Sequence, residues 1–111
     1  MSTYAWTIDT DHLAAEDIAE GIDPMTGDAT GTTGPSTAPD NLLDALRAGA
    51  GHHFTLYDDD AIPYYSGRAI YAPDQEGTED FCVGPLRDYG APNAGCTLIS
   101  WTGHPEWDGE Y

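Results

Sequence analysis

Between His52 and Tyr71 the chain reads HHFTLYDDDAIPYYSGRAIY, and no other stretch limits the fold so tightly. His52, Phe54 and Leu56 alternate with His53, Thr55 and Tyr57; three aspartates interrupt, and an aromatic and aliphatic run resumes from Ile62 to Tyr71. A period of two on both sides of a polar break describes two antiparallel strands joined at an acidic tip. Asp58 to Ala61 supply turn residues, and Pro63, with no N–H to give to a ladder, belongs at an edge or at the start of the second strand. Gly67 in mid-strand predicts a bulge or a close backbone approach.

Around this hairpin the other elements are shorter. Tyr4, Trp6 and Ile8 alternate with Ala5 and Thr7, which predicts a half-buried opening strand. Thr10 or Asp11 caps a short helix running to Glu20 and stopped by Gly21, with Ala14, Ile18 and, just past the stop, Ile22 at four-residue spacing. The segment 21–39, GIDPMTGDATGTTGPSTAP, has no periodicity and reads as a long mobile surface loop. Asp23 and Asp28 within it lack the closing glutamate of a calcium loop, so they read as turn residues. From Pro39 to Ala48 a helix is predicted: Pro39 suits the first turn, Asp40 and Asp44 favour its positive end, and Leu42, Leu43 and Leu46 form one stripe.

Downstream, 74–80 is an acidic connector and Phe81 to Val83 a short apolar segment. Gly84-Pro85 turns into a single helical turn closed by Gly90, and Pro92, Asn93 and Gly95 form a second turn. Thr97, Ile99 and Trp101 then alternate with Cys96, Leu98 and Ser100 as the last strand, and 103–111 reads as a frayed tail. The sum is a single α+β domain over 1–111: a small antiparallel sheet of about four strands, one helix packed on a face, and a long Gly/Thr/Pro loop. Trp6, Leu42, Leu43, Leu46, Phe54, Leu56, Ile70 and Leu98 are the expected core. Ile99 and Trp101 enter it instead if the last strand takes the other register.

Composition decides the class of partner. Twenty Asp and Glu stand against three basic residues, all of them arginine, for a formal net charge of -17. Such a chain repels nucleic acid and anionic membrane and seeks basic protein surfaces. Its 40% hydrophobic residues are enough to fold. No apolar run reaches the roughly 18 residues of a spanning helix, and the first residues lack the pattern of an export signal, so the expectation is a cytoplasmic protein. Cys82 and Cys96, widely spaced in a reducing compartment, read as small buried hydrophobes rather than a bridge or metal pair.

Catalysis has little to stand on, since no phosphate loop, HExxH, dinucleotide fingerprint or GxSxG occurs. His52 and His53 point to opposite faces of a strand, and His12 and His104 are distant in sequence. Consecutive carboxylates at Asp58, Asp59 and Asp60 diverge, whereas calcium takes six to eight oxygens. No catalytic residue, metal or cofactor is therefore expected. The charged tip instead suggests a partner surface made of Asp58, Asp59 and Asp60 with Asp74, Glu76, Glu79, Asp80 and Asp88 in the neighbouring loops, with Tyr65 and Tyr71 as amphipathic rings at its interface. One version is imitation of DNA's charge to block a nucleic-acid-binding factor, which requires those acids to cluster. A different class of reading is a small-molecule-binding or hydrolytic pocket on Arg87, Asp88, Asn93 and Gly95, and a third is acidity as adaptation to a salty cytoplasm.

The segments FTLYDDDAIPYYSGR and EDFCVGPLRDYGAPNAGCTLISW resemble a group of short acidic proteins of actinobacterial genomes, plasmids and phages, in which a YDDDG-type hairpin tip precedes a GPLxDFGxPNAGC-type segment and a closing strand. With the opening YAWTI the resemblance covers roughly the second half of the chain plus its first strand. It implies a mobile-element setting and no particular activity. The chain departs from the pattern at Ala61-Ile62-Pro63, where a glycine turn is expected, which predicts a wider tip.

Overall fold

The computed structural model describes residues 4–12, 30–72 and 78–110. The hairpin is its centre: β3 (His52–Tyr57) and β4 (Pro63–Tyr71) pair antiparallel, with Phe54 opposite Gly67. The opening strand β1 (Tyr4–Asp11) adds to the outer side of β4, and β2 (Thr33–Gly34) pairs with β1. On the other side β5 (Leu98–Trp101) pairs with β3, and β6 (Gly109–Glu110) closes that edge. The sheet is thus six-stranded in the order β2-β1-β4-β3-β5-β6 and antiparallel throughout, two strands more than the sequence suggested. Both additional strands are two residues long, too short to carry an alternation.

The pairing sorts side chains onto two faces. Tyr4, Trp6, Ile8, Phe54, Leu56, Tyr65, Ala69, Ile99 and Trp101 share one, where Phe81, Leu86 and Trp107 cover them. Ala5 and the half-buried Ile70 lie on the other, beneath Leu42 and Leu46 of helix α1 (Asp40–Arg47). This helix is the one expected, shorter by a residue at each end. Of its leucine stripe, Leu43 is only half-buried. Gly67 meets its expectation of close approach, because a Cβ there would run into the Thr7 carbonyl of β1, next to an irregularity between Ile8 and Thr10.

The larger difference is the layer over the first face. Instead of a loop with one helical turn, a second helical segment runs from 79 to 94: α2 (Glu79–Pro85), a π-helical turn (Leu86–Gly90) and α3 (Ala91–Ala94). Thr78 caps it, its hydroxyl accepting from the Phe81 N–H, and Gly95 ends it in the left-handed conformation with φ 70. Gly84 and Gly90 are not turn glycines here. A Cβ on Gly84 would press on the Tyr4 ring and one on Gly90 would stand 2.9 Å from Leu56, so both let the segment lie close on the sheet. Cys82 and Cys96 are free and buried, and burial raises both thiols, Cys96 to about 11.

Two further expectations are corrected. Ile99 and Trp101, not Leu98, face the main core; Leu98 is half-buried on the opposite face. The residues read as a frayed tail are built in: Pro105–Trp107 form a 3-10 turn, Trp107 is buried against Phe81 and Trp101, and β6 follows. A Trp in a mostly polar stretch holds its neighbours in place through the area it buries. Thr10 and Asp11, expected to cap a helix, end β1 instead; residues 13–20 of that helix, Asp23, Asp28 and the 21–29 part of the 21–39 loop lie outside the described residues. No described helix is long and apolar enough to cross a membrane.

Candidate functional site

The triple-Asp tip folds as a compact turn rather than a wide one. Asp58 and Ile62 bond through the Asp58 N–H and the Ile62 carbonyl at 3.1 Å, and the Ala61 N–H donates to the Asp58 carbonyl at 3.0 Å. Ala61 takes φ 61 at the place where glycine commonly closes such a loop. Asp58 organises the turn from inside: its Oδ1 accepts from the backbone N–H groups of Ile62 and Asp60, both at 2.9 Å. The bond from Ile62 above all, then that from Asp60 and the Tyr64 hydroxyl, holds the Asp58 carboxyl below the ordinary range. Asp59 and Asp60 are exposed, and Asp59 accepts from the Thr97 hydroxyl at 2.6 Å, which ties the tip to the start of β5.

That tie brings the tip together with acids absent from the expected cluster. Asp59 and Glu110 line a cavity of about 480 Å³ with Thr97 and Leu98. An adjoining cavity of about 390 Å³ is lined by Tyr57, Ala61, Leu98, Ser100, Asp108 and Glu110, among others. Leu98 and Glu110 belong to both, so the two form one trough along β3, β5 and β6. Its floor is the ring of Tyr57 and the side chain of Leu98; its rim carries Asp59, Asp108 and Glu110. Asp108 also accepts the Trp101 N–H at 2.7 Å, which occupies a donor of β5 beyond the end of β6. The signal for Asp108 and Glu110 was Trp107: an aromatic residue in a polar tail announces burial, and burial fixes its neighbours.

The other expected members separate. Asp74 and Glu76 lie outside the described residues, and Glu79 and Asp80 occupy the first turn of α2. Asp88 belongs to the opposite side of the sheet, as an internal acceptor: its Oδ2 takes hydrogen bonds from the Tyr4 hydroxyl and, at 3.3 Å, from the Trp6 indole N–H, while Arg87 Nε lies 3.4 Å from its Oδ1. Arg87 also donates to the Tyr4 oxygen at 2.8 Å. Burial, then the Asp88 contact, pushes the Tyr4 phenol well above its usual value, so it stays a donor. Tyr65 is buried at 6% exposure, edge-on to Tyr89, which corrects its place at an interface. Tyr71 is half-buried, stacked on His52 and edge-on to Phe81.

Of the alternative set, Arg87 and Asp88 contact each other and Tyr4, and Asn93 and Gly95 are engaged with their own helical segment. Arg87 turns towards Tyr4, while Asn93 is exposed and donates to the Tyr89 carbonyl one turn earlier. Gly95 serves as the helix cap. The third described cavity, about 290 Å³, lies between β1 and α1 and includes Arg47 and Arg68 in its wall. Arg68 is fully engaged there, donating to Asp9 through Nε and Nη2 at 2.7 and 3.0 Å and to the Leu46 and Ala50 carbonyls through Nη1. It fastens the C-terminus of α1 to the sheet. Among the described residues no group of three or more His, Cys, Asp or Glu is placed to hold a metal ion.

Each arginine therefore has an aspartate partner within the chain: Arg47 with Asp44 on the exposed face of α1, Arg68 with Asp9 and Arg87 with Asp88. Three arginines against 20 acids leave the chain with a formal net charge of -17. No family model, curated protein or solved structure matches the chain.

Proposed function

We propose that this chain is an acidic interaction protein that docks its hairpin-tip end on the basic, nucleic-acid-binding surface of another protein and so keeps nucleic acid off it. The observation that carries the reading is that each of the three arginines has an aspartate partner within the chain while the formal net charge stands at -17. The tip supports it, because Asp59 and Asp60 are exposed on a turn that Asp58 stiffens, so little order has to be imposed on binding. In the mobile-element setting that the resemblance implies, the partner would be a host or defence factor of the cytoplasm.

Charge density sets the form of the imitation. A surface of 6022 Å² shared by 17 net charges gives about 350 Å² per charge, against roughly 100 Å² per phosphate on a duplex treated as a cylinder. The protein as a whole is too dilute to stand in for DNA, so the imitation is local, confined to the hairpin tip with Asp58, Asp59 and Asp60 and to Glu110, which shares a cavity wall with Asp59. The test is capture from a host lysate followed by displacement of DNA from each captured protein, with the wild type beside a D58N/D59N/D60N variant. Asparagine keeps the Oδ1 acceptors that shape the turn and removes only charge. The expected result is enrichment of nucleic-acid-binding proteins that lose DNA to the wild type and not to the variant. Equal retention by both proteins, or capture without displacement, sinks the reading.

A further inference from the structure

We infer that the trough beside the tip is a recognition groove for a short basic segment of the partner, one that lays an apolar side chain on Tyr57 and Leu98 between cationic side chains directed at Asp59 and Glu110. This rests on the proposed basic partner and adds what that partner must present. Charge alone would recruit any cation to the tip, whereas the groove joins two features that purely electrostatic imitation does not need. One is an apolar floor in a cavity of about 390 Å³, on a sheet face whose neighbouring strands are covered by α1. The other is a rim with acids on both sides: Asp59 from the β3–β4 turn, Asp108 and Glu110 from the β6 end.

Complementarity selects the occupant. A neutral apolar ligand would cover Leu98 at the cost of drying the rim carboxylates without partners. A bare polycation would satisfy the rim and leave the floor wet. An Arg-apolar-Arg or Lys-apolar-Lys segment answers both, since the long stems of its cations lie along apolar surface while their heads reach acids. None of the chain's own arginines competes: Arg47 and Arg68 lie at the β1–α1 cavity and Arg87 is engaged with Tyr4 and Asp88. The Thr97 and Trp101 bonds also fix Asp59 and Asp108 before any partner arrives.

The groove is tested by NMR titration of the isotopically labelled full chain with three blocked tripeptides, Arg-Leu-Arg, Arg-Ser-Arg and Glu-Leu-Glu, and with octa-arginine as a charge-only probe. Arg-Leu-Arg should shift the Leu98 methyls and the Glu110 amide and bind about fivefold tighter than Arg-Ser-Arg, as partial burial of one leucine predicts. Glu-Leu-Glu should not bind. E110Q, an exposed change, and D59N, which keeps the Thr97 bond, should each weaken Arg-Leu-Arg about threefold. L98T should erase its advantage over Arg-Ser-Arg. Equal binding of the two arginine peptides, or shifts confined to Asp58, Asp59 and Asp60, overturns the groove and leaves the acidic interaction reading intact. Failure of octa-arginine to bind at low salt removes that reading as well.

Discussion

Asp58, Asp59 and Asp60 at the hairpin tip and Asp88 in the π-helical turn carry the same carboxylate and do opposite work. At the tip Asp59 and Asp60 are exposed and Asp58 accepts from backbone N–H groups of its own turn and from the nearby Tyr64 hydroxyl. Asp88 is 20% exposed as a side chain, bound by a phenol, an indole and a guanidinium drawn from β1 and its own turn. Removing charge from the first set changes what the surface offers; removing it from the second takes an acceptor away from two donors that lie between the sheet and the helical layer. Net charge read from composition cannot distinguish the two, because the difference lies in which face of which element each acid occupies.

The largest expected effect tests that contrast directly. D88A strips the acceptor from the Tyr4 hydroxyl and the Trp6 indole and should cost about 3 kcal/mol in denaturant unfolding, the range for an orphaned, charge-assisted hydrogen-bonded group. D58N/D59N/D60N should move the melting temperature far less than D88A, since relief of three like charges offsets the loss of the charge that strengthens the Asp58 bonds. A D88A protein as stable as wild type would mean that Tyr4 and Trp6 find other acceptors, and the contrast would collapse.

How much of this was legible in the sequence follows from the kind of signal each element carries. The hairpin was legible because both arms alternate and a polar break divides them. Helix α1 was legible because its leucine stripe is bounded by Pro39 and Gly49. β5 was ambiguous, since Leu98 and Ile99 are equally apolar and a slip of one residue exchanges the faces. The helical layer over 79–94 was missed because Gly84, Pro85, Gly90 and Pro92 carry the punctuation of turns. Packing overrides that reading: Gly84 and Gly90 give room to Tyr4 and Leu56, and Pro85 is followed at once by the π-helical register. At the site, the tip was visible and its companions were not. Asp108 and Glu110 reach the trough only through β6, a strand of two residues.

Salt should separate the two kinds of acid next. With 17 uncompensated charges on one small domain, raising the salt from low ionic strength to about 0.5 M should relieve self-repulsion and lift the melting temperature by about 5 °C, near 1 kcal/mol. The tip variant should show a shallower rise, because it has fewer like charges to screen. D88A should keep the wild-type slope, since Asp88 is compensated by Arg87. A flat profile for the wild type would mean that its carboxylates are already well separated. Loss of structure without molar salt would favour adaptation to a salty interior over partner binding.

The smallest effect concerns the residue that closes the tip. Ala61 sits at φ 61, a left-handed conformation that costs a residue with a Cβ about 1 kcal/mol relative to glycine. A61G should relieve that strain and loosen the unfolded chain, which returns roughly half of the gain, so a net stabilisation of about 0.5 kcal/mol is expected. Ala61 also forms part of the trough wall next to Tyr57 and Leu98, so the same change removes a methyl group from the groove. Stability and recognition should then move in opposite directions: A61G melts slightly higher and binds Arg-Leu-Arg more weakly, while octa-arginine, which reads charge alone, binds as before. If A61G gains stability with no change towards either peptide, Ala61 is only a strained turn residue and the groove ends at Tyr57.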